Sequence, residues 1–290
     1  MTLQEQLSMM AKNGDVEGCH QLITLGTPLH LLQSRLFLVL KRLADLPCGF
    51  HLQLISFLLP IMDLAKGTVL GKKWAVGVLV GQGACGKVYT VTSSDGKDYG
   101  YPLVAKVIPL PTGKGKVASE QEKLCNTLYY EYTLFHGQLC AFSYRPNIPD
   151  IRSFHGTDLI NNVRFLIMER FERDLVGYAS SSKPDNRAVA HIGLQILEGL
   201  EWMHAKGLLF IDVKPDNFML NGETLKFVDY GLVERWVSAV GTGPKVQTAR
   251  LMAGTPSYTS LDVHNCKTPM RKDDVESMVS LAVDFVGLES

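Results

Sequence analysis

The sequence predicts an α+β chain of two lobes, strands first and helices after, preceded by a helical extension. Three observations carry this. From Trp74 onward, VGVLVGQG and KVYTVT alternate apolar and polar residues as strands do, and PLVAKVIPL reads as a buried strand. Further on, AVAHIGLQILEGLEWMHAKG places Ile192, Ile196, Leu200 and Met203 three to four residues apart, the stripe of an amphipathic helix, with Gly207 near its end. Strands followed by helices suggest a β-rich lobe before an α-rich one.

The extension covers residues 1–66. Leu25, Leu29, Leu32 and Leu36 recur at helical spacing, and Pro28, Pro47 and Pro60 punctuate the segment. AKNGDVEGCHQLITLG resembles half an ankyrin unit, but no second copy follows to bury its apolar face, so helices packed beside the main domain are the preferred reading. The main domain then occupies residues 67–290, with lobes at 67–170 and 171–290. Between them EKLCNTLYYEYTLFHGQL reads as a helix and RFLIMERF as a strand.

Composition narrows the function. Of 290 residues 46% are hydrophobic, enough for one bilobed domain with an appendage. Lys plus Arg and Asp plus Glu balance at 29 each, so no nucleic-acid contact is expected. The six cysteines (19, 48, 85, 125, 140 and 266) form no C-x-x-C pair and read as free thiols in a reducing compartment. The N-terminus lacks a secretory pattern, and the greasiest stretch, 37–64, is broken by Lys41, Arg42, Asp45 and Pro47, so no membrane span is expected. These readings place the protein inside the cell, in cytoplasm or nucleus. The eight histidines show no H-x-x-x-H spacing and suggest no zinc.

Three motifs carry chemistry. Gly81, Gly83 and Gly86 form a G-x-G-x-x-G turn followed by Val88, and glycines let backbone approach phosphates closely. The pattern also opens dinucleotide-binding folds, but there a helix follows, whereas KVYTVT is a strand; a plain glycine-rich hairpin is the bland alternative. Twenty residues after Gly86, Lys106 lies in an apolar strand, where an ammonium is costly unless it meets anions. Nucleotide phosphates and Glu131, the only acid in TLYYEYTLF, would supply them; a lysine snorkelling to the surface is the alternative.

The strongest motif is Asp212-Val-Lys214-Pro-Asp-Asn217, followed after the hairpin LNGETLKFV by Asp229-Tyr-Gly231. Phosphoryl transfer requires a metal held against phosphates and a carboxylate beside the attacking hydroxyl. Asp212 suits the hydroxyl, Lys214 the γ-phosphate, and Asn217 and Asp229 are hard oxygen ligands for Mg²⁺. Two solvated acidic turns would be the alternative. Cys85, within the glycine loop, is read as a small filler rather than a redox sensor.

These runs together resemble the eukaryotic protein kinases, and a bilobed kinase-like fold is what the resemblance implies. FIDVKPDNFML and VDYGL are similar to the catalytic and metal loops of Ser/Thr members. GTPSYTSLDVHN and RKDDVES, standing where others carry A-P-E, resemble the casein kinase 1 superfamily, and LIMERFERDL resembles its vaccinia-related branch. The resemblance spans roughly residues 67 to 288. It implies ATP and Mg²⁺ as cofactors and a protein substrate with a Ser or Thr acceptor. It also implies Met168 as gatekeeper, Glu169 to Phe171 as the segment that hydrogen-bonds adenine, and Asp274 as a brace for the catalytic loop. It says nothing of oligomeric state.

Two departures bear on activity. Phe210-Ile211 stands where most kinases have His-Arg, so a phosphorylated activation segment finds no arginine there, and the loop is expected to loosen without the histidine's hydrogen bonds. Against the family pattern the chain stops early, at Ser290, as a truncated C-terminal lobe would. Val279, Leu281, Ala282, Val283, Phe285 and Val286 are then expected to be partly uncovered. The alternative to an active kinase is a pseudokinase or truncated isoform that binds nucleotide or partner proteins. A small-molecule kinase is disfavoured by the peptide-site-like GTPSYTS run.

Overall fold

The computed structural model describes residues 63–83, 86–111, 116–145, 147–149, 154–182, 184–239, 242–245, 254–265 and 267–287. The helical extension expected over 1–66 falls almost wholly outside them; its last four residues form a short stretch and the start of a turn. The elements in chain order are β1 (Val69–Leu70), β2 (Trp74–Gly83), β3 (Gly86–Ser93), β4 (Leu103–Pro109), α1 (Lys116–Leu134), a π-helical turn (Phe135–Leu139), β5 (Phe154–Asp158) and β6 (Val163–Glu169). They continue with β7 (Arg173–Asp174), α2 (Leu175–Ser182), α3 (Asn186–Ala205), β8 (Leu208–Leu209), a 3-10 turn (Pro215–Asn217), β9 (Phe218–Asn221) and β10 (Thr224–Phe227). The last are β11 (Glu234–Arg235), β12 (Val237–Ala239), β13 (Thr242–Lys245), α4 (Leu261–His264) and α5 (Arg271–Gly287).

The first six strands form one antiparallel sheet in the order β1-β2-β3-β4-β6-β5. Side chains opposite one another across a ladder share a face. The pairs Val88↔Lys106, Lys106↔Leu166 and Val104↔Met168 therefore gather those five residues on one face. The pairs Tyr89↔Ala105 and Ala105↔Ile167 lie on the other, in a core with Leu64, Trp74 and Phe165. Both faces of β4 are covered from Leu103 to Ile108, which explains its unbroken apolar run.

The alternation expected across VGVLVGQG fails. The β2–β3 register shifts between Val76 and Leu79 and again before Gly81, and Val78, Leu79 and Val80 are all exposed. Thr90 Oγ1 accepts the Val78 N–H at 2.9 Å and wedges the strand into this bulge.

In the helical part, Asp185 caps α3 by accepting the Ala188 N–H at 2.7 Å. The stripe of Ile192, Ile196, Leu200 and Met203 is buried in the main core with Phe210, Phe218 and Phe227. Helix α5 packs on α3 where Gly193 faces the Met278 side chain. The expectation of a partly uncovered helix holds for Val279 and Val283, which are exposed, and fails for Leu281 and Phe285, which are buried because they point into the α3 core. The side chain of Val286 lies outside the described set. Among the described residues no helix is long and apolar enough to cross a membrane.

Candidate active site

Lys106 projects from β4 toward α1, which lies over the same sheet face through Leu128, Cys125 and Leu166. Its Nζ lies 2.8 Å from Glu131 Oε1 and 2.8 Å from Asp229 Oδ1. The pairing with Glu131 was legible in the sequence; the simultaneous reach to Asp229 was not. Tyr130, beside Glu131, donates its hydroxyl to the Val233 carbonyl at 2.6 Å, so α1 is tied to the chain just past Asp229.

Burial pushes the Glu131 carboxyl up to about 7, against the pull of Lys106 and with the repulsion of Asp229. For Asp229 burial also works upward, but the charge and hydrogen bond of Lys106, with Lys214 behind them, prevail and hold it below the ordinary aspartate value. The Glu131 shift has a consequence for the nucleotide-free chain. Between about 4.5 and 7 the folded chain keeps a proton that the unfolded chain has released, so stability from this group falls as pH rises through that window. Glu131→Gln is expected to flatten that part of the urea-midpoint profile between about pH 5 and 8. Parallel profiles for the two proteins would contradict the assignment.

The hairpin β9–β10, in register from Asn221↔Thr224 to Phe218↔Phe227, brings the two polar loops together. Val228 N–H donates to the Asn217 carbonyl at 2.9 Å. Asp229 adopts φ 63, a left-handed conformation that aspartate tolerates.

Asp212 is 8% exposed and held from three sides. Its Oδ1 accepts from Thr255 Oγ1 at 2.8 Å. Its Oδ2 accepts from Lys214 Nζ at 2.9 Å and from Asn217 Nδ2 at 2.9 Å. Asn217 Nδ2 also donates to the Asp212 carbonyl at 2.8 Å. Thr255 was missed at the sequence level, although its run GTPSYTS was noticed. It is placed there by Gly254, whose φ of 102 and close approach to the Ile211 carbonyl both favour glycine.

The loosening expected from Phe210 does not occur. Its ring is 1% exposed and packs against Phe218, Phe227 and Tyr230 at centroid distances of 5.8, 5.1 and 6.1 Å. Asp274 braces the loop backbone: its Oδ2 accepts from Phe210 N–H at 2.9 Å, and its Oδ1 from Ile211 N–H at 2.8 Å. His204 Nε2 lies 2.8 Å from the same Oδ2.

The glycine segment is a strand hairpin, with Gly81↔Val88 and Gly83↔Gly86 in register. Residues 84 and 85, and hence Cys85, lie outside the described residues. Gly86 has φ 118, and a Cβ there would stand 2.3 Å from the Val107 carbonyl oxygen. At the far end of the sheet face Met168 is buried, and Glu169 ends β6. Arg170 N–H is taken by the Pro102 carbonyl at 2.8 Å, and the Phe171 side chain is buried.

The chemistry of the donor set fits a metal shared with a nucleotide. Asn217 uses its amide nitrogen on Asp212, and Asp229 uses Oδ1 on Lys106, so each keeps an oxygen in hand. Among the described residues no group of three or more His, Cys, Asp or Glu is placed to hold a metal. One carboxylate and one amide oxygen suit Mg²⁺, which completes its shell with phosphates and water.

Comparison with known proteins agrees with this geometry. The protein kinase domain family matches residues 74–283. The B1 kinase of vaccinia virus (strain Ankara) is 27% identical over 227 residues, 74% of this chain and 71% of that protein. Casein kinase I homolog 1 of Saccharomyces cerevisiae is 23% identical over 223 residues, 73% of this chain and 37% of that protein. The solved structure of vaccinia related kinase 3 shares the fold, with a TM-score of 0.56 at 18% identity, covering 78% of this chain and 69% of that one. Kinases of this family use ATP and a divalent metal. With the match running from the first long strand to the last helix, the chain belongs to the protein kinase family.

Proposed function

We propose that this chain transfers the γ-phosphate of Mg²⁺-ATP to Ser or Thr hydroxyls of protein substrates, with the residues above in specific roles. The observation that carries the proposal is the threefold hold on Asp212 by Thr255, Lys214 and Asn217, which fixes a carboxylate where an acceptor hydroxyl would enter. Asp212 orients that hydroxyl and accepts its proton. Lys214 offsets charge on the transferring phosphoryl group. Lys106, held by Glu131, meets the α- and β-phosphates, and Asn217 and Asp229 would hold Mg²⁺, which would offset phosphate charge. Gly81, Gly83 and Gly86 let backbone lie over the phosphates. Val88 and Met168 line the adenine space from the sheet face they share with Lys106, and Glu169 to Phe171 supply backbone hydrogen bonds to the base.

A nucleotide- or protein-binding module without transfer remains the alternative reading, and no contact in the site favours it. Nucleotide binding is tested by thermal unfolding. Saturating Mg²⁺-ATP is expected to add about 2.7 kcal/mol at a hundredfold excess over Kd, and so to raise Tm. Asp229→Asn should lose the Mg²⁺-dependent part of that rise. An unchanged Tm for a folded sample at millimolar Mg²⁺-ATP would overturn the proposal.

A further inference from the structure

The residue before Asp212 is held in a conformation that its own side chain disfavours. Ile211 has φ 71, in the left-handed region, where a β-branched side chain crowds the backbone. Residues held this way persist only when their surroundings over-determine them, and they gather at functional sites. Ile211 is 8% exposed, so those surroundings can be named.

The Asp274 carboxylate holds its N–H, as described. Its side chain forms a small apolar cluster with Leu209, against which Trp236 packs. Trp236 is fastened in turn. Its N–H donates to the Gly207 carbonyl at 2.7 Å. The two residues before it, in β11, pair with Leu208 and Leu209 of β8. The guanidinium of Arg271 stands 4.2 Å from its ring centroid. Its indole Nε1 is buried and finds no hydrogen-bond acceptor among the described residues, so the ring is held by its faces rather than its polar edge. Arg271 and Asp274 lie three residues apart at the start of α5. One helical turn therefore reaches the Ile211 neighbourhood twice, through a carboxylate on its N–H and through a cation on the indole that packs against the Leu209–Ile211 cluster.

We infer that Trp236 and Arg271 are positioning residues for the transfer reaction: the stack of Arg271 on Trp236 presses on Ile211, keeps it left-handed and so sets the aim of Asp212. The inference rests on the reading of Asp212 as the base. Neither residue touches the Lys106 cluster or the glycine hairpin in any described contact, so the effect falls on turnover rather than on nucleotide binding.

The test uses the full chain with a peptide acceptor. Arg271 is exposed, so its substitution leaves the core packing in place, whereas that of Trp236 opens it; Arg271 therefore carries the first arm. Arg271→Ala is expected to lower kcat about three- to fivefold, with KM for ATP and the nucleotide-induced Tm shift unchanged. Arg271→Lys, which returns a cation to the ring face, should recover most of that loss. Trp236→Ala should lower kcat about tenfold or more, and Trp236→Phe less. Adding Arg271→Ala to Trp236→Ala should cost nothing further, because the guanidinium acts through the indole. Wild-type kcat in Arg271→Ala, losses that multiply in the double variant, or kcat falling together with the fraction of chain that binds nucleotide would each overturn the inference. If Asp212→Asn retains turnover, the reading of the base fails instead, and the two failures are told apart.

Discussion

Asp212→Asn is expected to lower turnover by about 10²- to 10⁴-fold, the range contributed by a positioned general base. It should lower the affinity for Mg²⁺-ATP far less than the rate, and then only through Asn217, which Asp212 holds. Asp212 meets Thr255, Lys214 and Asn217, and none of its described contacts reaches Lys106, Glu131 or Asp229. The amide oxygen can still accept from Thr255, but its NH2 would face the Lys214 and Asn217 donors, so the rate is compared on variant protein that still shows the nucleotide-induced shift. The two measurements are the steady-state rate on a peptide acceptor and the nucleotide-induced shift in Tm. A parallel loss of rate and nucleotide affinity would place Asp212 among the metal ligands and contradict its separation from Asp229.

Asp274→Ala is expected to be the most damaging single change to stability. The carboxylate accepts from two buried backbone N–H groups and faces His204 at 2.8 Å. Truncation strands those donors in a core 2% exposed at Asp274, and each unmet buried group costs roughly 1–3 kcal/mol. The sum, about 2–6 kcal/mol, is a large share of the 5–15 kcal/mol typical of a domain. The strained Ile211 would also lose its N–H anchor. Asp274→Asn keeps one acceptor oxygen and should fall between wild type and alanine. Urea unfolding reads the effect directly, and a midpoint for Asp274→Ala equal to wild type would show that water or a neighbour meets both N–H groups.

Much of this site was legible because phosphoryl transfer constrains residue type and spacing within short runs. Asp212, Lys214 and Asn217 lie within six residues, and the hairpin that returns the chain to Asp229 is itself written in the sequence as LNGETLKFV. Glu131 could be paired with Lys106 because no other acid stands in the run TLYYEYTLF around it. Contacts made between distant segments by residues of ordinary type left no such mark. Thr255 reaches Asp212 across 43 positions, and a threonine in a loop is unremarkable until the fold places it. The same holds for Tyr130 on the Val233 carbonyl and for Arg271 over Trp236.

Strand alternation misled at β2, because the Thr90 hydroxyl, 12 residues away, competes for the Val78 backbone and shifts the register. Helix α5 was legible only in part. An apolar run says how much surface wants cover but not which side of the helix its partner takes, and α3 covers Leu281 and Phe285 while leaving Val279 and Val283 exposed. At Phe210, the family pattern suggested a loop loosened by the loss of the histidine's hydrogen bonds; the structure gives the ring three aromatic neighbours in their place.

The most direct test of the account is to incubate the full chain with Mg²⁺ and ATP labelled at the γ-phosphate, together with a protein acceptor, and to hydrolyse the products for phosphoamino-acid analysis. The account predicts label on phosphoserine or phosphothreonine of the acceptor in wild type, and none above background in Asp212→Asn. Label released only as inorganic phosphate, or protein labelling equal in wild type and Asp212→Asn, would contradict it.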